Sequence, residues 1–144
     1  MKKKFFVFLS MFCLAASVCS GQCGFVLGRI DTITSVQLHE KRILNIYLPE
    51  GYSADSANTY PVIYLLDGSA NEDFIHIVGA VQFLNLIDTL PKVIVVGIAN
   101  VDRRRDFTFP TSIVQDKKDY PTTGSSEYFI NFIEKELQPF IKRR

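Results

Sequence analysis

An α/β fold on a mostly parallel sheet is predicted by three features of this chain. Residues 61–66, and 92–98 after the leading Lys92, are apolar without interruption, the pattern of strands buried on both faces. Between them, apolar residues recur at helical spacing, so strand, helix and strand form a βαβ unit. Ahead of that unit, two alternating runs predict an antiparallel hairpin.

The elements follow in order. Residues 31–39 place Thr32, Thr34, Val36 and Leu38 on one face of a first strand. Residues 42–48 alternate Leu44, Ile46 and Leu48 against Ile43, Asn45 and Tyr47, with Glu40-Lys41 as the expected link. Pro49-Glu50-Gly51 ends the hairpin, and residues 53–59 read as a polar loop. After the first apolar strand, Phe74, Ile77, Val78, Val81, Leu84 and Ile87 mark one side of a helix that stops before Pro91. Residues 99–123 read as a long irregular stretch. Gly124-Ser125-Ser126 then opens a last helix, with Ser125 or Ser126 as N-cap. Its buried face is expected to carry Phe129, Ile130, Ile133, Leu137 and Ile141, and Pro139 to kink it or start a new turn. A further buried strand is expected to follow that helix. Without it, the strand at 92–98 would leave an apolar sheet edge open.

Composition narrows the class. A chain of 144 residues, 47% apolar and 22% charged, makes one globular domain at most. Residues 1–21 have the parts of a cleaved secretory signal: Lys2, Lys3 and Lys4, an uncharged apolar run over 5–18, and the small residues Ser20 and Gly21 near the cut. The apolar run is shorter than the ~20 residues that span a bilayer, so no membrane association is expected after cleavage. Val18 before Cys19 and Gln22 before Cys23 are not the small residues that cysteine lipidation uses, so cleavage is preferred over a lipoprotein. The expected location is periplasmic or extracellular. Removing those three lysines leaves 13 basic against 15 acidic residues, and no nucleic-acid partner is implied. Cys13, Cys19 and Cys23 all lie in or beside the signal, so the mature region, 22–144, must be stabilised by its core rather than by disulfides.

Few residues can carry chemistry. His39 and His76 stand apart, with no metal-binding motif around either, and no phosphate-binding glycine loop is present, so neither metal nor cofactor is implied. A serine nucleophile on a G-x-S-x-G elbow is also missing. The nearest approaches, around Ser53 and Ser125, lack the second glycine and do not follow a buried strand. One segment stands out: Asp67-Gly68-Ser69 closes the first apolar strand, at the carboxyl edge where open α/β sheets bind ligands. From the residues alone it reads either as a plain Asp-Gly turn or as a loop aiming an N–H at a developing oxyanion.

Four segments then line up with one family: RILNIYLPEGY from Arg42, YPVIYLLDG from Tyr60, VIVVGIAN from Val93 with DRRRDFT from Asp102, and YFINFIEKELQPFI from Tyr128. In order and spacing they resemble the putative esterase family of α/β-hydrolases, the group of enterochelin-esterase-like enzymes and esterase D. The resemblance implies an incomplete α/β-hydrolase fold, its N-terminal part only. It also implies that the backbone N–H of Ser69 is an oxyanion-hole donor, with Asp67 and Gly68 shaping the loop. The family's nucleophilic serine, acid and histidine would lie beyond residue 144, and neither His39 nor His76 matches that histidine. Arg103 and Arg105 are open to two readings: solvated or structurally paired, as Arg105 with Asp106, or lining the cleft for an anionic ester.

The expectation is therefore an exported carboxylic-ester hydrolase, truncated and inactive as this chain, whose complete form acts on a small-molecule ester. Two alternatives accompany it: an acyltransferase of the same family, and a catalytically dead binding module. Self-association through the open sheet edge is the partner expected of the chain itself.

Overall fold

The structure, a computed structural model, describes residues 24–143. The expected signal segment and the three cysteines lie outside those residues. Four strands form one sheet in the order β1-β2-β4-β3: β1 Arg29–Ser35, β2 Glu40–Tyr47, β3 Val62–Leu65 and β4 Ile94–Ile98. Helix α1, Phe74–Leu86, joins β3 to β4, completing the expected βαβ unit.

The sheet is mixed, not mostly parallel. Only β3 and β4 run parallel; β2 pairs antiparallel with both β1 and β4. The hairpin docks its second strand directly on β4, which makes β4 the interior strand. Its buried run Val95, Val96, Gly97 and Ile98 follows from that position. An open edge therefore belongs to β3, across the sheet from the outer strand β1, and not to β4; every residue of β3 is only half-buried. The hairpin link also differs from expectation. Glu40 and Lys41 already pair with Ser35 and Thr34, and the chain turns over residues 36–39. The carboxylate of Glu136 fills that turn, accepting from the Ser35 hydroxyl at 2.5 Å and from the N–H groups of Val36 and Gln37 at 2.9 and 3.0 Å.

Residues 99–123 contain two short helices, α2 Arg103–Phe107 and α3 Val114–Asp119. Asp102 starts α2 by accepting from the Arg105 N–H at 3.0 Å, a side-chain cap that places one of the orphan donors of the first turn. The last helix is α4 Ser126–Phe132, a π-helical turn Ile133–Leu137, and α5 Gln138–Lys142. Ser125 is its N-cap residue, without a side-chain cap bond. The Gln138 N–H reaches back to the Ile133 carbonyl, and this wider turn accommodates Pro139, which has no N–H and would crowd the carbonyl four residues earlier. The wide turn also moves the buried face. Phe129, Phe132 and Leu137 are buried, whereas Ile130, expected inside, is 54% exposed.

The two sheet faces carry separate cores. Leu44, Ile46, Val96 and Ile98 pack under Phe129, Phe132 and Leu137 of the last helix. Tyr47, Val93 and Val95 pack under Phe74, Val78 and Val81 of α1. Among the described residues no helix is long and apolar enough to cross a membrane.

Candidate functional site

The site is built where β3 ends. Asp67 takes a left-handed backbone, φ 52°, which turns the chain sharply across the end of β4. Gly68 then lies on Gly97 of β4 so closely that a Cβ on Gly68 would stand 2.4 Å from the Gly97 Cα. A Cβ on Gly97 would likewise meet the Gly68 carbonyl oxygen at 2.5 Å. Each glycine is required by the other. Two hydrogen bonds fix Gly68: its N–H donates to the Ile98 carbonyl at 3.0 Å, and its carbonyl accepts from the buried Asn45 side-chain amide at 2.7 Å.

Ser69 follows, half-buried, and its N–H donates to the Glu72 carboxylate at 3.2 Å. The Glu72 N–H returns a bond to the Ser69 carbonyl at 3.0 Å, so the segment closes as a tight turn leading into α1. Hydrogen bonding by Ser69 and then by Asn100 holds the Glu72 carboxyl below its ordinary value. The expected oxyanion donor thus carries an anionic oxygen, supplied by the chain itself.

Asn100 and Arg103 approach from the loop after β4. The Asn100 amide bridges Asp67 and Glu72 at 2.7 and 2.9 Å. Arg103 binds Asp67 through two nitrogens, at 2.9 and 3.2 Å, and lies over the Phe107 ring at 5.3 Å. Bonds from Arg103, then Asn100, lower the Asp67 pKa, and Asp67 raises that of Arg103. Arg103 remains 63% exposed beside the loop.

Arg105 points elsewhere. It forks onto the Glu40 carboxylate at 2.7 and 3.0 Å and binds Asp106 at 2.8 Å, which raises its pKa. Arg42 completes the group. It is 1% exposed, pairs with Asp106 and with Glu40, donates to the Ala99 carbonyl at 3.3 Å, and lies 5.5 Å from the Phe129 ring centroid. Two arginines and two carboxylates bind α2 to the hairpin, and α2 in turn carries Arg103 to Asp67.

The structure thus brings Asp67, Gly68, Ser69 and Arg103 together and places Arg105 in the ion network. His39 is exposed in the hairpin turn rather than in a strand, and His76 is exposed on α1. Among the described residues no group of three or more His, Cys, Asp or Glu side chains is placed to hold a metal ion. Sequence reasoning missed Asn45, Glu72 and Asn100. Asn45 had a signal: an amide in the middle of an otherwise apolar strand needs a partner. Gly97, interrupting the run of β-branched residues in β4, marked a close backbone approach.

A family model described as Putative esterase matches residues 35–144. The chain belongs to this esterase family. It is 33% identical over 120 residues to the ferri-bacillibactin esterase BesA of Bacillus subtilis (strain 168), covering 73% of this chain and 41% of that protein. An IroE-like serine hydrolase from Shewanella oneidensis shares 41% identity at a TM-score of 0.70, over 81% of this chain and 38% of the other. The BES protein from Bacillus cereus shares 29% identity at a TM-score of 0.66, over 89% and 50%. The chain therefore spans about two fifths of the curated relative it matches. Its mixed sheet with flanking helices is that of its α/β-hydrolase-like structural neighbours.

Proposed function

We propose that this chain is the amino-terminal part of an exported serine ester hydrolase acting on iron-binding siderophore esters, and that it is inactive by itself. The observation that carries the reading is the Ser69 N–H, held at the carboxyl end of the sheet and bonded to a carboxylate oxygen. In the whole enzyme, serine attacks the ester carbonyl, histidine takes and returns the proton, and an acid orients the histidine. The charge that develops on the carbonyl oxygen goes to the Ser69 N–H once Glu72 moves aside. The substrate class follows from BesA, whose name gives ferri-bacillibactin as the ester. Arg103, exposed beside the loop, supplies a positive charge for an anionic ligand of that kind. Arg105 takes no part in binding, because its guanidinium is engaged by Glu40 and Asp106. Export rests on the charge and apolar pattern of residues 1–21.

The test is to read the coding sequence past Arg144 and to assay the extended protein on a siderophore lactone. A buried-strand pattern leading to G-x-S-x-G within roughly 20 residues is expected, with ester turnover. In that protein Ser69→Pro, which deletes the N–H, lowers kcat about 10²–10³-fold. A confirmed stop with no such pattern in any frame overturns the reading.

A further inference from the structure

We infer that Asn45 is a positioning residue: its side-chain amide fixes the plane of the Gly68–Ser69 peptide and so aims the Ser69 N–H outward. The catalytic meaning of this arrangement rests on the esterase reading above; the arrangement itself does not. A trans peptide is planar, with its C=O and N–H pointing in opposite directions. Whatever holds the Gly68 carbonyl therefore sets the direction of the Ser69 N–H. Asn45 is 5% exposed on interior strand β2 and pairs with Gly97 across the sheet. Because Gly97 has no side chain, the Asn45 amide reaches across it to the Gly68 oxygen, 2.7 Å away.

Such an anchor is needed because of the residues it serves. Glycine tolerates both senses of the peptide, so a Gly68–Ser69 unit held only by its flanking chain is free to flip. In the flipped state the Ser69 N–H would face Asn45 and the carbonyl would face the cleft, where it would repel an oxyanion. As placed, the Asn45 amide presents its nitrogen to this peptide, and that donor favours the sense in which the carbonyl points inward. A carbonyl that accepts a buried hydrogen bond also polarises its peptide, which makes the Ser69 N–H a stronger donor. Glu72 binds the opposite end of the same peptide, but from a half-buried side chain that must leave when a ligand enters.

Nuclear magnetic resonance of the chain separates the two anchors, reading the Gly68 carbonyl carbon and the Ser69 amide. With Asn45→Leu, close to asparagine in shape, the Gly68 carbonyl signal moves, and the Ser69 amide exchanges about tenfold faster with solvent, as loss of one buried hydrogen bond predicts. With Asn45→Asp the same signals move at neutral pH and return toward wild type on acidification, since a protonated carboxyl regains the donor. With Glu72→Ala, which leaves the core untouched, the Gly68 signal moves far less than with Asn45→Leu. A Gly68 carbonyl that moves in Glu72→Ala to the position of a solvent-bonded carbonyl overturns the inference, even if the core variants do not fold. So does a Gly68 carbonyl unmoved in folded Asn45→Leu. Absence of ester turnover in the extended protein would bear on the esterase reading alone, because these signals do not depend on it.

Discussion

Arg42 and Asp106, each 1% exposed, are tolerated inside the protein only as members of a group. Glu40 and Arg105 balance their charges and take up most of their hydrogen-bonding capacity, while the Arg42 Nε is left without a partner. Removing one member strands another, so Arg42→Met is expected to destabilise the chain by about 3–5 kcal/mol in urea unfolding. Surface substitution of Lys117 should be close to neutral. The carboxylates of the site make a second prediction. Asp67, Glu72 and Asp102 are held below their ordinary values of 3.8, 4.5 and 3.8. A lowered folded value adds stability above the ordinary value, and that stability is lost as pH falls through the lowered one. Stability should therefore drop below about pH 4.5, and a double variant, Asp67→Asn with Glu72→Gln, should show a flatter curve there. A double variant with an unchanged acid limb contradicts the assignment. At this scale the sequence disclosed residue types but not partners. Arg105 beside Asp106 was legible because the two are adjacent in the chain. The joining of Arg42 to Asp106, 64 residues apart, depends on strand register.

Helix and strand positions were easier to read than the faces they bury. The βαβ unit was visible because two uninterrupted apolar runs flank one helical period. The last helix was visible too, with most of its inner face: Phe129, Ile133, Leu137 and Ile141 pack on the core as expected, whereas Ile130 does not. Phe132, paired with Leu137 by a π turn that changes the spacing from four residues to five, was missed. Leu137→Ala should therefore cost about 2–5 kcal/mol, whereas Ile130→Ala should change stability by less than about 0.5 kcal/mol. Comparable losses at both positions would mean that the helix keeps an ordinary α register. The same reasoning explains the hairpin. Its alternation was clear, but a side chain from the last helix, Glu136, sets the turn over residues 36–39, and no local pattern reveals that.

Across the whole molecule, the order β1-β2-β4-β3 puts the hairpin on one flank of β4 and leaves β3 with a free edge. Along that edge runs a groove of about 560 Å³, lined by Tyr60, Val62 and Tyr64 on one side and Gln138 and Ile141 on the other. Strand order is a property of the folded sheet, so the sequence foretold an open apolar edge but placed it on the wrong strand. The turn at Asp67, Gly68 and Ser69 is assembled within the described residues, between β3 and α1. The central claim, that this chain holds the oxyanion side of an ester hydrolase without its reacting groups, is tested most directly by fluorophosphonate labelling of the purified chain together with aryl-ester turnover. The account predicts no labelled serine and no hydrolysis above buffer; a serine labelled in proportion to ester turnover would contradict it.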